Sequence, residues 1–201
     1  MRIVSANELQ NWLSTGEVLE RDSHGPKVVR LADGCFLKIF RSRRPLLARW
    51  KPEAQRFVRN AERLQALNIA TPQMLECVWI ERGKGINACL YHPLDGTPLD
   101  SLFKQQRKHF DALLPAFAAY IRHLHESGIY FRSLHLGNVL LLPGGGFGLI
   151  DFLDLRFKRG PLRQGLVRRN FAHLKNYLKR RKVEGFPLTE LMRLYEERSE
   201  L

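Results

Sequence analysis

The chain has 201 residues, enough for one domain or two closely packed lobes with a substantial core. Its hydrophobic content of 44% is that of a globular protein, and no apolar run approaches the ~18 residues of a bilayer-spanning helix. With 33 Lys and Arg against 20 Asp and Glu, the formal charge of +13 attracts polyanions: nucleic acid, acidic lipid headgroups or a phosphorylated glycan.

The excess charge is concentrated. Residues 27–63 hold 11 Lys and Arg against 3 Asp and Glu, and residues 156–182 hold 11 with no acid. The polar N-terminus shows no cleavage site of small residues, so the expected location is cytoplasmic. Cys35, Cys77 and Cys89 lie among apolar neighbours without metal-type spacing and read as buried, reduced thiols.

A first strand is expected at 18–21, joined through Asp22-Ser23-His24-Gly25-Pro26 to a hairpin of 27–31 and 35–40 around Ala32-Asp33-Gly34. A basic loop follows. Pro52 and Glu53 then suit the start of a helix over 52–67, where Ala54, Phe57, Val58, Ala61, Leu64 and Leu67 recur at helical spacing. Two more strands are expected at 73–79 and 87–94, and helix signals dominate beyond about residue 95. Phe110, Leu113, Leu114, Phe117, Ile121 and Leu124 form an apolar helix stripe, with Pro115 expected in the first turn if Asp111 is the cap. Leu162, Leu166, Val167, Asn170, Phe171, Leu174 and Leu178 keep a helical register, and a last short helix follows Gly185-Phe186-Pro187. The expected fold class is α+β, with a strand-rich part over 1–94 (about five antiparallel strands and one helix) and a mostly helical part over 95–201.

The chemistry-bearing stretch is 130–152, YFRSLHLGNVLLLPGGGFGLIDF. Asn138 and Asp151 flank two short apolar runs joined by Gly144-Gly145-Gly146, the layout of the metal-holding half of a kinase-type phosphotransferase. One amide oxygen and one carboxylate are enough for Mg2+, which keeps waters and phosphate oxygens as its other ligands. Lys38, inside Phe36-Leu37-Lys38-Ile39-Phe40, is the candidate phosphate-holding cation; the alternative is an outward lysine on a half-exposed strand. The segment 22–26 has the single Gly25 where a phosphate-cradling loop would carry several.

The strings SLHLGNVLL and GLIDF resemble the DLHxGNxLL and LIDF signature of the lipopolysaccharide-core (Kdo/heptose) kinases, within the protein-kinase-like superfamily. Residues 59–72 are similar to that family's RNxxRLxxLGIxTP passage, and GIYFRSLHLGN resembles small bacterial members labelled toluene-tolerance proteins. The resemblance implies a protein-kinase-like fold and an ATP- and Mg2+-dependent transfer to a sugar of the lipopolysaccharide core. Lys38 would then hold the phosphates, Asn138 and Asp151 the metal, and Tyr91 to Leu94 the adenine. The implied setting is envelope biogenesis at the inner face of the cytoplasmic membrane, with an anionic glycolipid or membrane surface, or an enzyme of lipopolysaccharide assembly, as partner.

The chain departs from that pattern at telling places. Ser133 stands where the family has its catalytic Asp, Phe131 where it has His, and Leu153 where Gly follows Asp-Phe. The glutamate that would pair with Lys38 falls on or near Phe57, with Glu53 and Glu62 as candidate replacements. Arg132, Ser133 and His135 are the candidate catalytic-loop residues, and His135 or Asp154 could take the acceptor's proton. Two readings stay open: an active glycan kinase, and a pseudokinase scaffold or regulator. Nucleic acid is not an expected partner, since Lys179-Arg180-Arg181-Lys182 stands without a reading motif.

Overall fold

The computed structural model describes residues 1–42 and 45–197. It is a mixed α+β chain that divides into two compact units, Met1–Leu94 and Asp95–Leu201.

The first unit is built on six strands: β1 (Arg2–Ile3), β2 (Glu17–Asp22), β3 (Gly25–Arg30), β4 (Phe36–Arg41), β5 (Gln73–Glu81) and β6 (Ile86–His92), in the order β1-β5-β6-β4-β3-β2. All neighbours are antiparallel except β1, which runs parallel to β5, so the sheet has a parallel edge that the expected five antiparallel strands lacked. Alternation along β4 sends Leu37 and Ile39 to one face, where Val29, Val78 and Ala88 complete a core. Helix α1 (Ala6–Thr15) covers that core with Leu9, Trp12 and Leu13. The opposite face carries α3 (Glu53–Gln65), which buries Ala54, Phe57, Ala61 and Leu64.

Pro52, at the N-cap of α3, offers no side-chain acceptor of its own. Asn87, fully buried on β6, supplies the missing acceptor: its Oδ1 takes the Ala54 N–H at 2.8 Å while its Nδ2 donates to the Gly85 carbonyl at 2.9 Å. The expected basic loop contains a short helix, α2 (Pro45–Trp50). Gly85, at φ 69°, lies beneath it, and a Cβ there would come within 2.9 Å of Ala48.

In the second unit α5 (Arg107–Glu126) is the central helix, packed by α4 (Leu99–Gln105) and α7 (Leu188–Glu196). The helix begins a turn earlier than expected. Phe110 N–H donates to the Gln106 carbonyl, and the Asp111 carboxylate is held by Arg107 at 2.8 Å rather than capping. Pro115 is therefore interior, where its missing N–H costs the helix one hydrogen bond. The hairpin of β9 (Val139–Leu141) and β10 (Phe147–Leu149) is extended by β7 (Thr97–Pro98), while β8 (Ile129–Tyr130) pairs with β11 (Arg156–Phe157). Gly144 to Gly146 form the hairpin tip, closed by Leu142 N–H on the Gly146 carbonyl. Helix α6 (Gln164–Arg180) buries Asn170, Phe171, Leu174 and Leu178.

Candidate functional site

Four sequence-selected residues of the second unit lie on one loop and its short 3-10 turn, Leu136–Asn138. The loop is pinned from behind. Asn170 of α6 donates from Nδ2 to the Phe131 carbonyl at 2.7 Å, and its Oδ1 sits 2.9 Å from His125 Nε2. Because Oδ1 can only accept, the His125 proton is on Nε2, leaving Nδ1 to accept from the Tyr195 hydroxyl at 2.9 Å. Burial holds His125 below the ordinary histidine range, which keeps that tautomer neutral. Sequence reasoning placed Asn170 in an apolar helical row without drawing the consequence. A lone amide in such a row signals a satisfied buried network.

Asn138 is buried, and its Nδ2 donates to the Ser133 carbonyl at 3.0 Å. That bond fixes the loop and leaves Oδ1, an acceptor atom, as the amide's other polar end. The Asn138 carbonyl accepts from the Ile150 N–H at 3.0 Å, tying the turn to the residue before Asp151. Asp151 itself has φ 51°, a left-handed conformation costing a non-glycine residue about 1–2 kcal/mol. Strain of that kind persists where surrounding structure imposes it and clusters at functional sites. Among the described residues no group of three or more His, Cys, Asp or Glu could form a metal cage. An amide and a carboxylate fit a cation such as Mg2+ that keeps waters and phosphate oxygens.

Beyond the left-handed residue Asp151, Asp154 meets Ser133. The Ser133 hydroxyl donates to Asp154 Oδ2 at 2.7 Å. The second carboxylate oxygen, Oδ1, is buried and has no hydrogen-bond partner among the described residues, and the same holds for Nδ1 of His135. The His135 ring stacks face to face on Tyr177, with centroids 4.0 Å apart, and burial keeps it below the usual histidine range. Arg132, Ser133, His135 and Asp154 all line a cavity of about 800 Å3, which Lys179, Arg180 and Arg181 also line. A smaller recess of about 310 Å3 shares Arg132 and adds Arg156 and Arg169. Chemically, this is a carboxylate oriented by a hydroxyl and surrounded by cations: an alcohol bound there could lose a proton to Asp154, and anionic substituents would be held by the arginines.

Lys38, Glu53 and Tyr91 belong to the first unit. Lys38 is 5% exposed, so the outward-lysine alternative does not hold. Its ammonium lies 5.2 Å from the centre of the Phe57 ring, a cation–π contact at or near the position where the resemblance would have a glutamate. Glu53 accepts a hydrogen bond from Asn87 Nδ2 at 3.3 Å. Tyr91 is buried with its ring 6.2 Å from that of Phe57, and Leu94 ends the unit half-buried. The segment 22–26 is a tight turn: Asp22 accepts from the His24 N–H, and Arg41 holds both Asp22 and the Pro26 carbonyl. All three cysteines are free, and burial pushes the Cys77 thiol up to about 11, so it is inert at neutral pH.

No family model matches the chain, and no curated protein matches it either. Among the described residues no helix is long and apolar enough to cross a membrane.

Proposed function

We propose that the chain is a protein-kinase-like phosphotransferase that uses ATP and Mg2+ to phosphorylate an anionic sugar of the lipopolysaccharide-core type at the cytoplasmic membrane face. The observation that carries this reading is the Ser133–Asp154 contact at 2.7 Å beside a cation-lined cavity. It supplies a carboxylate where the loop itself lacks one. Asp154 takes the proton of the acceptor hydroxyl, whose oxygen bonds to the γ-phosphorus as the bond to the β,γ-bridging oxygen breaks and ADP leaves. Ser133 orients Asp154, and Arg132 with Lys179 to Arg181 hold the acceptor's negative groups. Asn138 and Asp151 would hold Mg2+, which would supply positive charge to neutralise the phosphates. Lys38 is the proposed phosphate contact.

The alternative, a pseudokinase scaffold or regulator serving a lipopolysaccharide-assembly enzyme, is favoured by one observation: Phe131, in place of the family's His, is wholly buried in the loop. Thermal shift with ATP separates the two from a chain that binds no nucleotide. Ligand at a hundred times its dissociation constant stabilises by ~2.7 kcal/mol, and the kinase reading expects a shift that requires Mg2+ and disappears in Asp151→Ala. ATP hydrolysis by Asp154→Asn should fall ~10²–10⁴-fold if Asp154 is the base. A shift with no turnover leaves the scaffold, and no shift under any condition removes the kinase reading.

A further inference from the structure

The two most exposed large apolar side chains among the described residues are neighbours on α2: Trp50 at 87% and Leu46 at 73%, joined by Leu47 at 51%. Helix α2 turns its one buried residue, Ala48, onto the turn at Gly85 and the three large apolar groups outward. An indole left this open to water loses the burial that normally makes tryptophan favourable in a fold. The surroundings are cationic. No acid occurs from 34 to 52, Arg49 and Lys51 flank Trp50, and the supporting turn carries Arg82 and Lys84. Of the nearest acids, Glu81 is paired with Lys84 at 3.0 Å and Glu53 is engaged by Asn87.

We propose that α2 docks the protein on an anionic bilayer, with Trp50, Leu46 and Leu47 entering the headgroup–acyl boundary and Arg49 and Lys51 meeting lipid phosphates. Tryptophan and leucine beside Lys and Arg match that boundary, where an indole buries its ring and keeps its N–H wet. A protein partner fits less well. Interface cores are depleted of charge, and three side chains of one short helix fall far below the ~800 Å2 per partner of a stable complex. This docking does not depend on whether the chain transfers phosphate.

The full chain is mixed with vesicles of phosphatidylcholine alone and of phosphatidylcholine with phosphatidylglycerol, and sedimented. Binding is expected only to the anionic vesicles and weakened by salt. The variant Leu46→Ser/Leu47→Ser/Trp50→Ser should lose at least about tenfold in partitioning. Arg49→Ser/Lys51→Ser should lose roughly 25-fold, about fivefold per cation. Both should keep the wild-type melting temperature and any ATP-induced shift. In the wild type, brominated lipid should quench a fluorescence component that Trp50→Phe removes, which tests the contact even if a serine variant fails to fold. The proposal is overturned by no binding, or by binding that the apolar variant leaves unchanged, which would assign it to the basic stretch 156–182. Self-association abolished by that variant, without vesicle binding, would overturn it in favour of a surface between copies of the chain.

Discussion

Asn87 in the first unit and Asp154 in the second are both polar side chains drawn inside their units, and they are treated in opposite ways. Every polar atom of the Asn87 amide has a partner: the Ala54 N–H, the Gly85 carbonyl and Glu53. Among the described residues Asp154 has a partner for one oxygen and none for the other. Three buried side-chain polar atoms among the described residues lack a partner, and two of them, on His135 and Asp154, belong to residues lining a single cavity. A closed network stabilises a fold. Around Ser133 the second unit instead keeps unmet bonding capacity on buried atoms of two residues that line that cavity.

Breaking a closed network should have the largest effect. Asn170→Ala strands the Phe131 carbonyl and the His125 N–H, and should cost about 3 kcal/mol in denaturant unfolding. A loss below ~0.5 kcal/mol would mean that the network does not hold the loop. Introducing the carboxylate that the resemblance would place at 133 tests the other side. In Ser133→Asp a second carboxylate would face Asp154 at close range, costing about 2 kcal/mol at neutral pH, and Ser133→Asp/Asp154→Asn should recover most of it. Stability in the single variant equal to wild type would show that the cationic wall compensates. The smallest mutational effect is expected for Asp154→Asn itself. An amide keeps the Ser133 bond, so the melting temperature should shift by less than ~1 kcal/mol equivalent while turnover falls.

Acid should also divide the two units. His125, His135 and His173, all in the second unit, are held below the ordinary value of 6.5, in each case chiefly by burial. The unfolded chain therefore binds protons that the folded one does not, so the histidine contribution is complete above ~6.5 and declines as pH falls through it. Unfolding free energies across that interval should slope downward toward acid, and His173→Gln should flatten part of the slope. A flat profile in the wild type would count against burial of these rings.

Much of the element order was legible because periodicity and turn chemistry are local. Phe57, Ala61 and Leu64 gave α3, and Gly144 to Gly146 gave the β9–β10 tip. Helix α1 was missed although its signal was present: Ser5 and Glu8 have capping-box spacing, and the Glu8 N–H does bond to Ser5 Oγ. Helix α2 was missed because its apolar residues face outward, so no inward stripe marks it. In the candidate site, Asn138, Asp151 and Ser133 could be chosen by spacing. The Ser133–Asp154 contact could not, because it joins residues 21 apart across the β9–β10 hairpin, a separation that no local periodicity encodes.

The guanidinium of Arg122 gathers the Leu194, Tyr195 and Glu197 carbonyls at the end of α7, with distances of 2.6 to 2.9 Å. Tyr195 is the residue whose hydroxyl steadies His125, and through Asn170 that ring steadies the Phe131 carbonyl. The last turn of α7 is therefore mechanically in series with the Ser133 loop. Opening of either segment should lower the protection of the other against hydrogen exchange, so that the far end of the described chain reports on the occupancy of a cavity that it does not line.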